Sequence, residues 1–311
     1  MNLGLGEACS ILSALAWAIG IMLYRQLGAS LSPQRLNFLK NLLVLAMLLP
    51  AIPLAHGLEL PRFTALQACA AIGSGVLGIG IADTLYFRAL NELGAGRMGI
   101  IGNFYSPLVI VLSFVFLGER LLPLQLLGFI FVSIGVWVAA WPRELVAGHT
   151  PDAPVTPAPP RSPPAPRHTA RGFGLAVLAV ALMACAIVLV KRVLEAQPLL
   201  WVTGLRMAGA IAAMFLIALW RGEAAQLRPQ ASGLPWRKLF IAAFVGQFLA
   251  MVLWMAAYKF TLASVASVLG ETASIFILLL AAIWLKEPLT PRALAGVVLT
   301  FGGVCFMLWV R

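Results

Sequence analysis

Of the chain's 311 residues, 61% are hydrophobic and only 11% charged, with a formal net charge of +11. Soluble domains carry about 25% charged residues, so the balance excludes an ordinary soluble enzyme or binding module. In a chain this apolar, surplus Lys and Arg sit in loops and set orientation, so the charge is no footprint of a nucleic-acid partner.

Apolar runs of about 20 residues, the length of a bilayer-crossing helix, recur from end to end. They predict an all-α membrane protein of ten transmembrane helices, at roughly 6–26, 33–55, 66–88, 96–117, 122–141, 172–192, 199–220, 236–258, 263–285 and 291–310. The first run has Glu7 ahead of it and no basic segment, which predicts an uncleaved helix and not a signal peptide. The second begins at Pro33, where a helix tolerates proline because its missing N–H bonds nothing in the first turn. Asn37, Lys40 and Asn41 share one of its faces, and a polar face in a membrane helix turns inward. The third carries Asp83 near its end, with Tyr86 three residues on. The fourth holds Asn103 and Ser106, and Pro107 deprives the Asn103 carbonyl of its helical partner. Glu119 and Arg120 form a polar corner before Pro123, and the acid there is expected to cap the next helix.

Residues 142–171 contain nine prolines in PRELVAGHTPDAPVTPAPPRSPPAPRHTAR. Such a stretch cannot form a packed core and reads as an extended, disordered linker. It divides the chain into a first five-helix unit (1–141) and a second (172–311). In the second, the seventh span carries Arg206 about two turns in. The eighth shows Gln247, Met251, Trp254 and Tyr258 along one face, an aromatic wall for the apolar part of a substrate. Ser264, Ser267, Glu271 and Ser274 line one face of the ninth, at spacings of three and four.

The two units are copies. At an offset of 168, Gly102 matches Gly270, Ser106 matches Ser274, Glu119 matches Glu287, and Pro123, Gly128 and Gly135 match Pro291, Gly296 and Gly303. In a slightly shifted register Arg25 falls against Lys191, and Lys40 against Arg206. Five helices per copy is odd, so the second copy enters the membrane from the opposite side, the arrangement of many secondary transporters. The differences matter as much as the matches. Asn103 with its proline stands against Glu271 in an intact helix, and Asp83 against Met251.

Ionisable groups within a span cost roughly 2.5–3.5 kcal/mol each on insertion scales, so Lys40, Asp83, Arg206 and Glu271 each need a reason. Lys40 and Arg206 either neutralise a substrate's carboxylate or phosphate, or pair with Asp83 and Glu271, or snorkel to the interface. Glu271 either contacts a proton or substrate, or is a hydrogen-bonded structural acid. The binding candidates are therefore Glu271, Asn103, Lys40, Arg206, Asp83, Asn37, Asn41, Gln247, Trp254 and Tyr86. Four cysteines within apolar runs read as buried free thiols. Three histidines, all in loops, make no metal cluster, and no cofactor is expected. With no HExxH, no GxSxG and no histidine within a span, no catalytic site is expected either. Glycines of the fifth and tenth spans allow close helix approach, within the chain or at a homodimer face.

The paired units with their GER and KEP corners, each followed by a proline and a glycine-spaced helix, resemble the EamA-type transporters of the drug/metabolite transporter superfamily. The resemblance implies a ten-helix inverted-repeat fold and the export or exchange of small metabolites, amino acids among them, across a bacterial cytoplasmic (inner) membrane. A drug exporter or a lipid-linked sugar flippase of the same superfamily is the alternative. The expected partners are a small-molecule substrate, protons and the lipid bilayer. It also implies cytoplasmic termini, whereas most loop Lys and Arg fall on the side that would put the termini outside.

Overall fold

The computed structural model describes residues 4–27, 33–57, 59–93, 98, 101–140, 169–224, 236–284 and 290–310. The described chain is helical: α1 (Leu5–Leu27), α2 (Pro33–His56), α3 (Ala65–Gly75), α4 (Ala82–Leu93), α5 (Tyr105–Leu117), α6 (Pro123–Ala140), α7 (Thr169–Ala196), α8 (Leu199–Trp220), α9 (Trp236–Ala243), α10 (Ala250–Phe260), α11 (Ala263–Gly270), α12 (Thr272–Trp284) and α13 (Pro291–Trp309). A six-residue π-helical segment, Val76–Ile81, joins α3 to α4, and a second, Phe244–Leu249, joins α9 to α10. Prolines open α2, α6 and α13, as expected. Thr64 opens α3 with a capping box closed by Gln67, which satisfies two backbone donors reciprocally.

Among the described residues, eight helical stretches are long and apolar enough to cross a membrane. Two more apolar helices, Tyr105–Leu117 and Pro123–Ala139, are shorter. The fourth expected span is shortened because its helix breaks at Asn103 and Phe104. Large apolar side chains such as Leu49, Val115, Phe116, Leu216 and Val298 stand exposed around the outside, a surface suited to lipid. Cys69, Cys185 and Cys305 belong to it as well. Only Cys9 is buried, which corrects the expectation for the other three. A position facing lipid is as apolar as one facing the core, so hydropathy does not separate them. The segment 142–171 is corrected at one end: α7 begins at Thr169, so Thr169, Ala170 and Arg171 are helical. The rest of that segment lies outside the described residues, as does the corner at Glu287.

The two copies embrace each other. Helix α1 packs on the second copy's π segment and α10, while α7 packs on the first copy's π segment and α4. In the same way α2 packs on the second π segment, and α8 on the first. Helix α5 meets α11, and α6 runs along α13. The glycines show how close these approaches are. A Cβ on Gly20 would stand 2.3 Å from the Cα of Gly246, and one on Gly78 would stand 2.8 Å from the Ala186 Cβ. Gly246 follows Gly78 by the repeat offset of 168, and Ala186 follows Gly20 by the 166 that relates Lys40 to Arg206, so the two contacts are the same contact made twice. The α6–α13 seam is lined by Gly128, Gly135, Gly296 and Gly303, each of whose Cβ atoms would collide with the facing helix. These small residues are used within the chain.

Among the described glycines the tightest approach is Gly75, where a Cβ would lie 1.8 Å from the backbone oxygen of Arg206. No side-chain rotation relieves a clash with backbone. Gly75→Ala is expected to separate α3 from α8 and cost at least the ~1–3 kcal/mol typical of overpacking, read as a lower melting temperature in detergent. Gly73→Ala is the control, since nothing lies within 4 Å of its Cβ position.

Glu119 does not cap the helix that follows it. Its carboxylate accepts hydrogen bonds from the Ala263 N–H (2.9 Å), the Ser264 N–H (3.1 Å) and the Ser264 hydroxyl (2.7 Å). It thus caps α11, in the other copy. Helix α6 is served instead by Gln125, whose side chain accepts from the Leu122 N–H at 3.0 Å.

Candidate functional site

Lys40 and Arg206 sit two turns into α2 and α8, close enough to a helix end to snorkel. Neither does. The Lys40 Nζ donates to the Gln247 Oε1 at 3.0 Å, inside the second π segment and midway along the α9–α10 rod. The Gln247 Nε2 donates to the Asn41 Oδ1 at 3.3 Å, and the Asn41 Nδ2 to the Asn37 Oδ1 at 3.3 Å. The polar face read from α2 therefore does point inward, and a chain of amides and one ammonium ties it to the opposite copy. Asn37, Asn41 and Gln247 are all buried.

Arg206 makes the corresponding approach from α8 to the first π segment. Gly78 leaves room for its guanidinium, since a Cβ there would stand 3.1 Å from Nη2. The guanidinium carbon lies 5.3 Å from the centre of the Trp254 ring, a cation–π distance. Yet the side chain is buried, and Nε and Nη1 have no hydrogen-bond partner among the described residues. Beside it the hydroxyls of Tyr105 and Tyr258 share a hydrogen bond of 3.1 Å. Asp83, half-buried just after the first π segment, lies within electrostatic reach of both Lys40 and Arg206, and Tyr86 stands one turn on. The fold thus brings together Asn37, Lys40, Asn41, Asp83, Tyr86, Arg206, Gln247 and Trp254. It adds Tyr105, which sequence reasoning missed.

Two features explain why the cluster forms here. π-Helical turns are rare and recur at functional sites, and among the described residues each copy has one, at positions 168 apart. Each faces a cation from the other copy. The glycines at the matching positions 78 and 246 were the available signal.

Glu271 is not part of that cluster. Its nearest polar neighbours are the Ser106 and Ser133 hydroxyls, not a cation, which corrects the pairing of Glu271 with Lys40 or Arg206. Both carboxylate oxygens are buried and, among the described residues, take no direct hydrogen bond; the Ser133 hydroxyl is likewise unpartnered. Nor is its helix intact. The ninth span breaks at Glu271 between α11 and α12, with tight contacts from the Glu271 N–H to the Val268 oxygen (3.1 Å) and from the Ser274 N–H to the Glu271 oxygen (3.1 Å). Asn103, half-buried, occupies the matching break in the first copy. The proline is therefore not what distinguishes the copies. Both break one residue after a paired glycine, Gly102 or Gly270.

A cleft of about 340 Å³ opens elsewhere, lined by Glu7, Lys191, Glu195, Lys259 and Thr261. Lys191 there pairs with Glu195 and donates to the Thr261 oxygen at 3.0 Å. Lys259 donates to the backbone oxygens of Leu194 (2.5 Å) and Gln197 (2.7 Å). Both cations have hydrogen-bond partners within the protein, whereas two nitrogens of Arg206 have none among the described residues.

Comparison with known proteins agrees with the doubled architecture. The model of the EamA-like transporter family matches the chain twice, at residues 4–141 and 170–309. No curated protein matches it. A solved structure described only as "Crystal structure of protein" is 18% identical with a TM-score of 0.75, over 98% of this chain and 97% of that one. At that identity the likeness is one of fold.

Proposed function

The chain belongs to the EamA-like transporter family, part of the drug/metabolite transporter superfamily, and from that premise we propose that it carries a small zwitterionic metabolite such as an amino acid, by alternating access. The observation that supports this reading best is the Arg206 guanidinium, buried against Trp254 with two nitrogens unsatisfied. A buried cation with unfilled hydrogen-bond donors is costly and is worth keeping when a ligand completes it. In this reading Arg206 and Lys40 receive the substrate carboxylate, Asp83 its ammonium, and Trp254 with Tyr86 the apolar part.

The ten crossings form two inverted five-helix repeats in the bacterial inner membrane, working as an exporter or exchanger. Each copy contributes one cation and one π segment, so rocking one copy against the other uncovers the cluster first on one side and then on the other. Asn37, Asn41 and Gln247 hold Lys40 in place while this happens.

The test is a thermal-shift screen of the purified protein with amino acids, lipophilic cationic drugs and polyprenyl-phosphate sugars. A ligand at 100 times its Kd stabilises the native state by about 2.7 kcal/mol. Stabilisation by an amino acid is expected. Stabilisation by a drug or a lipid-linked sugar alone would replace this reading with one of the other two carriers.

A further inference from the structure

We infer that Glu271 is a proton-binding site separate from the substrate cluster, and that it couples the carrier to a proton gradient. The inference rests on the proposed function for its transport arm only.

The carboxylate is enclosed at a helix break, takes no hydrogen bond of ordinary geometry among the described residues, and has the Ser106 and Ser133 hydroxyls beside it. An isolated ionised carboxylate in an apolar interior costs far more than the neutral acid. An enclosure of this kind suits the neutral acid better than the carboxylate. Once rearrangement brings Glu271 to water it can ionise. On loading, a carboxylate oxygen forms an O–H bond with a proton from hydronium, leaving water. On release the bond breaks and the proton returns to water on the other side.

The surroundings leave this titration to Glu271. Helices α5, α6, α11 and α12 contain no Asp, Glu, Lys, Arg or His, and α5 brings one titratable group, Tyr105. The other helices packed on α11 and α12 bring Glu7, Cys9, Tyr24 and Arg25 from α1, Tyr258 and Lys259 from α10, and Arg292 and Cys305 from α13. Of those whose side chains are described, none is among the groups acting on the carboxyl.

A polar track leads to the site. The Ser264 hydroxyl donates to Glu119 (2.7 Å), the Ser267 hydroxyl to the Ser264 oxygen (2.9 Å), and the Ser106 hydroxyl to the Ser267 oxygen (3.1 Å). Ser106 then stands beside Glu271. At 1.5 Å of rise per residue, the seven residues from Ser264 to Glu271 cover about 10 Å. Hydroxyls alternate with carbonyls along the way, so the row supplies rotatable donors for a proton route and is not itself a continuous wire. This is the stripe visible in the sequence, with Ser106 inserted from the other copy.

Two readouts test the inference. In infrared difference spectra taken across a pH step on reconstituted protein, a carboxylic-acid C=O band is expected in the wild type, absent in Glu271→Gln and displaced in Ser106→Ala. In proteoliposomes, accumulation of the stabilising amino acid under an imposed pH gradient is compared with its equilibrium counterflow, which needs no gradient. The ratio of the two is expected to collapse in Glu271→Gln. The inference is overturned if that ratio is unchanged, if counterflow disappears along with accumulation in a variant that melts like the wild type, or if the band persists in Glu271→Gln. Should Glu271→Gln fail to fold, Glu271→Asp must move the pH at which the band titrates, and no movement refutes the site. If the wild type carries none of the amino acids, the carrier reading fails, and the infrared band still decides for or against Glu271.

Discussion

Replacing Arg206 by methionine is expected to abolish ligand stabilisation and counterflow while leaving the empty protein as stable as before, or more so. The two halves of this result have one cause. Burial with few hydrogen bonds makes the guanidinium a liability in the empty protein, since Nε and Nη1 lack hydrogen-bond partners among the described residues and the Trp254 face, with Asp83 at electrostatic range, must offset their desolvation. Replacing a buried charge by an apolar side chain of similar volume is commonly neutral or stabilising. Removing one member of a buried, hydrogen-bonded charge pair from a complex costs about 2–5 kcal/mol, and at about 1.4 kcal/mol per tenfold that is roughly 30-fold in affinity or more. Arg206→Lys should keep part of the binding, because the charge survives and the planar fork that stacks on Trp254 does not. Ligand affinity of Arg206→Met is read by thermal shift, and its empty-state stability by melting without ligand. Wild-type affinity would remove Arg206 from the site. A large loss of empty-state stability would make it a structural residue.

What the sequence made legible was whatever depends on spacing. The offset of 168 survives from hydropathy into the fold, and the polar face of Asn37, Lys40 and Asn41 turns inward as its periodicity requires. Rotation and contact partners were harder to read. A lipid-facing side and a packed side are equally apolar, so Cys69, Cys185 and Cys305 looked buried when they stand outside. The π segments were hidden because nothing in Val76–Ile81 or Phe244–Leu249 breaks a helical pattern; only the paired glycines at 78 and 246 mark them. The break at Glu271 has no proline to mark it; only Gly270, matched by Gly102, precedes it. Contacts between copies depend on which helices of one pack on which helices of the other. Sequence adjacency points Glu119 to the helix that follows it, and the fold delivers it to α11 instead.

That delivery sets up the last expected result: Glu119→Ala lowers stability by about 2 kcal/mol or more, and a substitution in the other copy recovers part of the loss. The residue before α11 is Leu262, in an extended conformation and without a side-chain cap, and leucine cannot accept a hydrogen bond from the first helical N–H groups. Helix α11 therefore begins with orphan donors unless something else supplies oxygen. Gly118 makes this possible. Its φ of +74° ends α5 in the left-handed conformation, and the Glu119 N–H turns back to the Ser113 oxygen at 3.2 Å, a turn after which the Glu119 side chain reaches across the copies. One carboxylate then takes three donors. Hydrogen bonds to a charged group contribute about 1.5–3 kcal/mol each and are not additive, while an ordinary N-cap contributes about 1 kcal/mol. Leu262→Ser places a capping hydroxyl within α11 itself. Combined with Glu119→Ala it should restore roughly that N-cap share and no more, because it satisfies a donor of α11 without tying the copies together. The measurement is a double-mutant cycle of melting temperatures in detergent. An unchanged melt for Glu119→Ala would mean that water serves the α11 donors equally well. Full rescue by Leu262→Ser would mean that the bond between copies adds nothing beyond a local cap.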